Sequence, residues 1–187
     1  MKKVAIYCSS REGLGHEIED GARLIASTIG QTGGSLVYGG VNAGLMHIAA
    51  QAAHESGAEI IGVVPKVFTH RADALCDRLI PTEDLNHRKG VMIDLADIFV
   101  VLPGGIGTID EWISTLSHIM VQERVDPDAD KPILVWDADG MYSGMAAQLA
   151  ATNESVYARG KRVDRSLIFP TAASLATRLK GLLASDC

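Results

Sequence analysis

The sequence predicts an α/β protein built on a doubly wound parallel sheet, Rossmann-like, with helices on both faces. Three observations carry that expectation. Short β-branched runs alternate with longer amphipathic stretches along the chain, the rhythm of successive βα units. Several of the short runs are apolar throughout, Ile98-Phe99-Val100-Val101-Leu102 above all, as strands covered on both faces must be. Glycine-rich turns follow three of the runs, where an open sheet of this kind meets its ligands.

Taken in order, the first strand is read at Val4–Cys8 and is ended by Ser9-Ser10-Arg11-Glu12. An amphipathic helix over Gly15–Gln31 follows it. The second strand is Ser35–Tyr38, with a helix over Gly44–Ser56, and the third is Glu59–Val64. Lys66–Asp77 reads as a surface loop before a short fourth strand at Arg78–Pro81. Leu85–Ala96 is helical, Asp97–Leu102 is the fifth strand, and Thr108–Gln122 is the next helix. A second loop is expected at Val125–Lys131, whose composition is Asp- and Pro-rich. Strands at Pro132–Trp136 and Leu167–Phe169 alternate with helices over Met141–Thr152 and Ala172–Leu183. No internal repeat or linker divides the chain, so residues 1–187 are expected to form one domain.

Composition narrows the function. Lys plus Arg number 17 against 23 Asp plus Glu, a net charge of −6, and no basic run offers a footprint for nucleic acid. A phosphate bound by such a chain must be held locally, by backbone amides and a few placed cations. The apolar run at Val4–Cys8 is too short for a signal-peptide core, and no stretch approaches a membrane span. Cys8, Cys76 and Cys187 are odd in number and lack Cys-x-x-Cys spacing. The expectation is a cytoplasmic protein with neither a disulfide framework nor a zinc site. The six histidines show no metal-binding spacing either, and His47 and His54 read as flanking a packed helix face.

The three turns are Cys8-Ser9-Ser10-Arg11-Glu12-Gly13, Tyr38-Gly39-Gly40-Val41-Asn42-Ala43-Gly44 and Pro103-Gly104-Gly105-Ile106-Gly107-Thr108-Ile109-Asp110-Glu111. In the third, Gly104, Gly105 and Gly107 permit close backbone approach, and Thr108 is placed to cap a helix. The amides and dipole at that helix start suit a phosphate, although a plain tight βα turn has the same composition. Glu111 completes a Thr-x-x-Glu capping box, the simpler reading on local grounds. Helical spacing puts Trp112, Leu116, Ile119 and Met120 on the buried side of this helix, and Glu111 on another face with Thr115, His118 and Gln122. Arg88 is harder to explain locally. It falls at the centre of an apolar stripe formed by Leu85, Val91, Met92 and Leu95, where a permanent cation needs an anionic partner. Glu111, a bound phosphate, or Asp84 or solvent reached by snorkelling are the alternatives; Lys89, at the stripe's edge, reads equally well as solvated.

Other chemistries lack their motifs. No Gly-x-Gly-x-x-Gly follows the first strand, and there is no P-loop and no Gly-x-Ser-x-Gly elbow.

Together the three segments resemble the Lonely Guy family of cytokinin riboside 5′-monophosphate phosphoribohydrolases. Pro103 to Glu111 reads as that family's Pro-Gly-Gly-x-Gly-Thr-x-x-Glu signature, His87-Arg88-Lys89 as its Arg-Lys element, and Val37-Tyr38-Gly39-Gly40 with Gly44-Leu45-Met46 as its second-strand turn. The chain departs from the pattern at Ser9, Val41, His47 and Leu85-Asn86-His87. The resemblance implies hydrolysis of a nucleotide such as AMP, or a cytokinin riboside monophosphate, to free base and ribose 5-phosphate, by a homodimer without cofactor or metal. It implies catalytic roles for Arg88 and Glu111, and substrate or phosphate contacts for Ser10, Gly39, Gly40, Lys89, Gly104, Gly105, Gly107 and Thr108. The family also carries a lysine decarboxylase label, but nothing in the sequence resembles a pyridoxal-phosphate site. The alternative is a nucleotide or molybdenum-cofactor carrier of the same fold.

Overall fold

A computed structural model describes residues 1–122, 125–126, 131–154 and 166–185. Among the described residues, seven strands form one sheet in the order β4-β3-β2-β1-β5-β6-β7. They are β1 (Lys3–Tyr7), β2 (Ser35–Tyr38), β3 (Glu59–Pro65), β4 (Arg78–Thr82), β5 (Ile98–Val101), β6 (Ile133–Trp136) and β7 (Ser166–Phe169). Every pairing is parallel, as the apolar strand runs require. The helices are α1 (His16–Gln31), α2 (Gly44–Glu55), α3 (Leu85–Leu95), α4 (Ile106–Gln122), α5 (Ser143–Glu154) and α6 (Ala172–Ala184).

Alternate residues of the central strands feed two separate cores. Val4 and Ile6 of β1 with Val100 of β5 pack against Ile25 of α1, Ala49 of α2 and Leu175 of α6. Ala5 and Tyr7 with Phe99 and Val101 pack on the other face against Met92 of α3, Trp112 of α4 and Leu149 of α5. The period of two along each strand thus sorts its side chains between two helical layers. β4 occupies the edge, which explains its mixed pattern: Arg78, Leu79 and Pro81 are exposed, and proline is tolerated where no further strand needs its missing N–H.

Four local expectations need correction. The segment after β3 is not a plain surface loop: Lys66–Arg71 forms a short 3₁₀ turn, Ala72 bridges to Val41, and Asp73 is buried. α3 buries Met92 and Ile93, while Leu85 is left 52% exposed at the first turn, so the apolar stripe starts later than its wheel suggests. α4 starts at Ile106, two residues before Thr108, because Gly105 already supplies the first helical acceptor, for the amide of Ile109 at 3.1 Å. α5 starts at Ser143 instead of Met141, after a 3₁₀ turn at Ala138–Gly140. The loop expected at Val125–Lys131 falls mainly outside the described residues, as does Cys187.

Candidate functional site

β1 is followed by β2 on one side and, later in the chain, has β5 on the other. The connections leaving β1 and β5 therefore diverge to opposite faces, opening a crevice at their carboxyl ends. The turns that frame it are tied together. Leu102 N–H donates to Tyr7 O at 2.9 Å and Ser9 N–H to Pro103 O at 3.1 Å. Gly44, with φ +49°, lies so close beneath the β1 turn that a Cβ there would stand 2.3 Å from Arg11 O and 2.5 Å from the Ser10 carbonyl carbon. Only glycine satisfies both the backbone angle and the space. Ser10 is exposed at this junction.

The sequence left open whether Arg88 and Glu111 meet, and they do. Arg88 Nη2 donates to Glu111 Oε1 in an ion pair between α3 and α4, with side-chain exposures of 13% and 5%. Two local alternatives fail. Asp84, the snorkelling partner considered for Arg88, is occupied as the N-cap of α3, its Oδ1 accepting from His87 N–H at 2.8 Å. The Thr108–Glu111 capping box does not form, since both residues are inside α4 and both are buried. Glu111 is therefore packed, contrary to its wheel position, because the neighbouring face of α4 meets α3 and β1 instead of solvent. Thr115 on the same face exchanges a 2.9 Å hydrogen bond with Tyr7 Oη.

Burial pushes the Glu111 carboxyl up from the ordinary carboxylate range, against the opposing pull of Arg88. Arg88 Nε is buried without an acceptor among the described residues, a donor that a native site leaves open only for water or ligand. The guanidinium lies over the end of β2, where a Cβ on Gly39 would stand 3.5 Å from Nη1 and 3.1 Å from the Met46 side chain. Gly40 (φ +66°) turns the chain away beside Val64. Lys89 also reaches α4, but its Nζ is held by Asp110 at 2.8 Å and Ser114 at 3.2 Å. It therefore locks the two helices together.

The third turn divides into a packed part and an open part. Gly104 is buried under Thr108, whose Oγ1 would lie 2.1 Å from an added Cβ, and its carbonyl accepts from Tyr142 Oη at 3.4 Å. Gly105 and Gly107 are exposed, and an added Cβ at either meets nothing within 4 Å. The opening amides of an α-helix have no intrahelical acceptor, so Ile106, Gly107 and Thr108 present donors toward this open side. A cavity of about 430 Å³ adjoins the turn, lined among others by Ser9, Arg11, Leu14, Gly105 and Asp139.

Several of these residues were not singled out from the sequence. Asp139 is the non-glycine residue with positive φ (51°) among those described, and the Asp-Gly pair after the sixth strand was the available signal. Asp73 was hidden in an apparent loop. It fastens that segment to the second turn, its N–H donating to Gly40 O at 2.9 Å and its carboxylate lying 2.8 Å from His47 Nδ1.

The fold and this crevice define an open α/β protein with a candidate ligand site at the switch point of its sheet. The family model described as "Possible lysine decarboxylase" matches residues 46–179, and similar proteins carry a phosphoribohydrolase name. A cytokinin riboside 5′-monophosphate phosphoribohydrolase of Mycobacterium tuberculosis is 33% identical over 167 residues, 88% of this chain and 86% of its own. Another from Arabidopsis thaliana is 26% identical over 182 residues, 96% of this chain and 82% of its own. The chain belongs to this family, the Lonely Guy phosphoribohydrolase family. Among solved structures, the molybdenum cofactor carrier protein of Chlamydomonas reinhardtii superimposes with a TM-score of 0.73 at 19% identity, covering 98% of this chain and 99% of the other. That likeness extends to the fold alone. No helix among the described residues is long and apolar enough to cross a membrane.

Proposed function

We propose that the protein hydrolyses the N-glycosidic bond of a purine nucleoside 5′-monophosphate, AMP or a cytokinin riboside monophosphate, to free base and ribose 5-phosphate. The observation that carries this reading is the buried Arg88–Glu111 pair with an unsatisfied Arg88 Nε, set beside the open first turn of α4. A carrier needs only the turn; a buried carboxylate held by a cation is suited to a developing positive charge.

In this reading the 5′-phosphate accepts hydrogen bonds at Gly104–Thr108, with Ser10 and the Gly39–Gly40 turn shaping the opposite wall. As the C1′–N bond breaks, its electron pair leaves with the base, which takes up a proton from solvent to balance the one that the attacking water gives up. The ribosyl group acquires oxocarbenium character. The Glu111 carboxylate stabilises that charge and accepts a proton from the water that bonds to C1′. Its raised proton affinity makes it the better base for this step, while Arg88 keeps it ionised and oriented. Lys89 holds Asp110 and so fixes α4 against α3. No cofactor or metal enters the scheme. The setting is a reducing cytoplasm.

Incubation of the purified protein with AMP should release adenine, detected by chromatography, while adenosine should be split far more slowly, because phosphate binding positions the sugar. Equal cleavage of the two would remove the phosphate turn from the scheme; AMP binding without turnover would make the protein a carrier. The protein is further expected to act as a homodimer through the α3 and α4 surfaces. Sedimentation as a 19.9 kDa species at micromolar concentration would contradict this.

A further inference from the structure

Neither of the two cations that the sequence placed near the phosphate, Arg88 and Lys89, is uncommitted. Arg88 is paired with Glu111, and Lys89 with Asp110. Backbone amides donate to a phosphate dianion but carry no net charge to neutralise it, and the chain as a whole has a net charge of −6.

Resting on the hydrolase reading, we propose that Arg11 is the cation that binds the 5′-phosphate and sets the enzyme's demand for it. Arg11 lines the same cavity as Gly104 and Gly105. Its backbone is fixed: its N–H donates to Ser9 Oγ at 3.0 Å, and its carbonyl sits on Gly44. Its exposed side chain forms no ion pair among the described residues, so the guanidinium is available to a ligand, and its fork matches phosphate oxygens. The first turn thus delivers the charge, the third turn the amides, and the 3.1 Å bond from Ser9 to Pro103 holds the two in register. Asp139, in the same cavity lining, opposes the phosphate electrostatically and supplies an internal control of sign.

The test is calorimetric binding of ribose 5-phosphate, with kcat and KM for AMP and adenosine, in the parent protein and in Arg11→Ala, Arg11→Lys and Asp139→Asn. Arg11→Ala keeps the backbone bond to Ser9; Asn tolerates the left-handed backbone at 139. Arg11→Ala should weaken ribose 5-phosphate binding about ten- to a hundredfold and lower kcat/KM for AMP by a similar factor, and by much more than it lowers kcat/KM for adenosine, which has no phosphate to hold. Arg11→Lys should recover part of the loss. Asp139→Asn should tighten binding by about three- to fivefold, the effect of one charge removed across a partly solvated gap. Opposite signs at the two positions are what a structural disturbance would not produce. Unchanged binding in Arg11→Ala, shifts of the same sign in both variants, or no ribose 5-phosphate binding by the parent would each overturn the inference. The two readings separate cleanly. If the parent binds AMP without splitting it while Arg11→Ala still loses ribose 5-phosphate, hydrolysis fails and the Arg11 assignment stands. If AMP is split with the same kcat/KM by both, the Arg11 assignment fails and hydrolysis stands.

Discussion

Replacing Gly107 with alanine separates what the glycine-rich turn does for the fold from what it does for a ligand. Gly107 is the second residue of α4, it is exposed, and its φ is not among the positive values. An added Cβ meets no atom within 4 Å. The substitution therefore costs the folded chain nothing and restricts the unfolded one, a gain of about 0.4–1 kcal/mol. For a chain of this length that is a rise in Tm of roughly 1–4 °C. The new methyl leans toward the helix N-terminus, as every Cβ on an α-helix does, into the space in front of the free amides. Loss of one charge-assisted hydrogen bond to a phosphate there costs about 1.5–3 kcal/mol, on the order of ten- to a hundredfold in kcat/KM for AMP. Thermal melting without ligand and steady-state kinetics on AMP give both halves. A raised Tm with unaltered kcat/KM would show that no phosphate rests on this turn. A lowered Tm would show that the glycine is needed by the fold after all.

Glu111→Gln should lower kcat/KM by about a hundredfold or more, through loss of roughly 3 kcal/mol of charge stabilisation. Arg88→Ala should do likewise, and a double-mutant cycle should find the two losses overlapping, not additive; additive losses would mean separate roles. Because burial raises the Glu111 carboxyl, the acid limb of kcat/KM should lie above the ordinary carboxylate range and vanish in Glu111→Gln. The stability consequence has a definite sign. A proton held more tightly by the folded state favours folding below the ordinary carboxylate pKa, and that contribution is lost as pH rises through the raised value. The Tm of Glu111→Gln relative to the parent should therefore improve with pH across that window, and a falling difference would contradict the raised value. Gly44→Ala, which strains φ +49° and drives a methyl to 2.3 Å from Arg11 O, should destabilise by roughly 1–3 kcal/mol; an unchanged urea midpoint would refute the close packing of the first two turns.

The sheet was legible because its strands are buried on both faces, so that β5 reads as an unbroken apolar run and β1 nearly so. The helix boundaries near the site were less so, for a specific reason. Thr108 has the chemistry of a cap, yet Gly105 already serves as the helix's first acceptor, and no local pattern distinguishes the two. Glu111 looked solvent-facing on its own helix because a wheel records only one element. Its burial is set by α3 and β1, whose sequence positions lie 23 and about a hundred residues away. The same distance hid the role of Asp110, an ordinary exposed acid until Lys89 is brought against it. Arg88 was the exception: a permanent charge in the middle of an apolar stripe announced its need for a partner, though not which one.

The ties between the first and third turns also bear on when the site can exist during synthesis. β1 pairs directly with β5 across a separation of 94 residues, the span between Lys3 N–H and its acceptor Asp97. Until β5 and the start of α4 have left the ribosome, the end of β1 has no Leu102 or Pro103 to bind, and the exposed edge of β1 is unpaired on that side. Non-local parallel pairing of this kind is slow to form. A nascent chain stalled before residue 98 would thus hold β1 to β4 with β1 as a second open edge beside β4 and no crevice, a species for chaperones to shield and one in which no nucleotide could serve as a folding template.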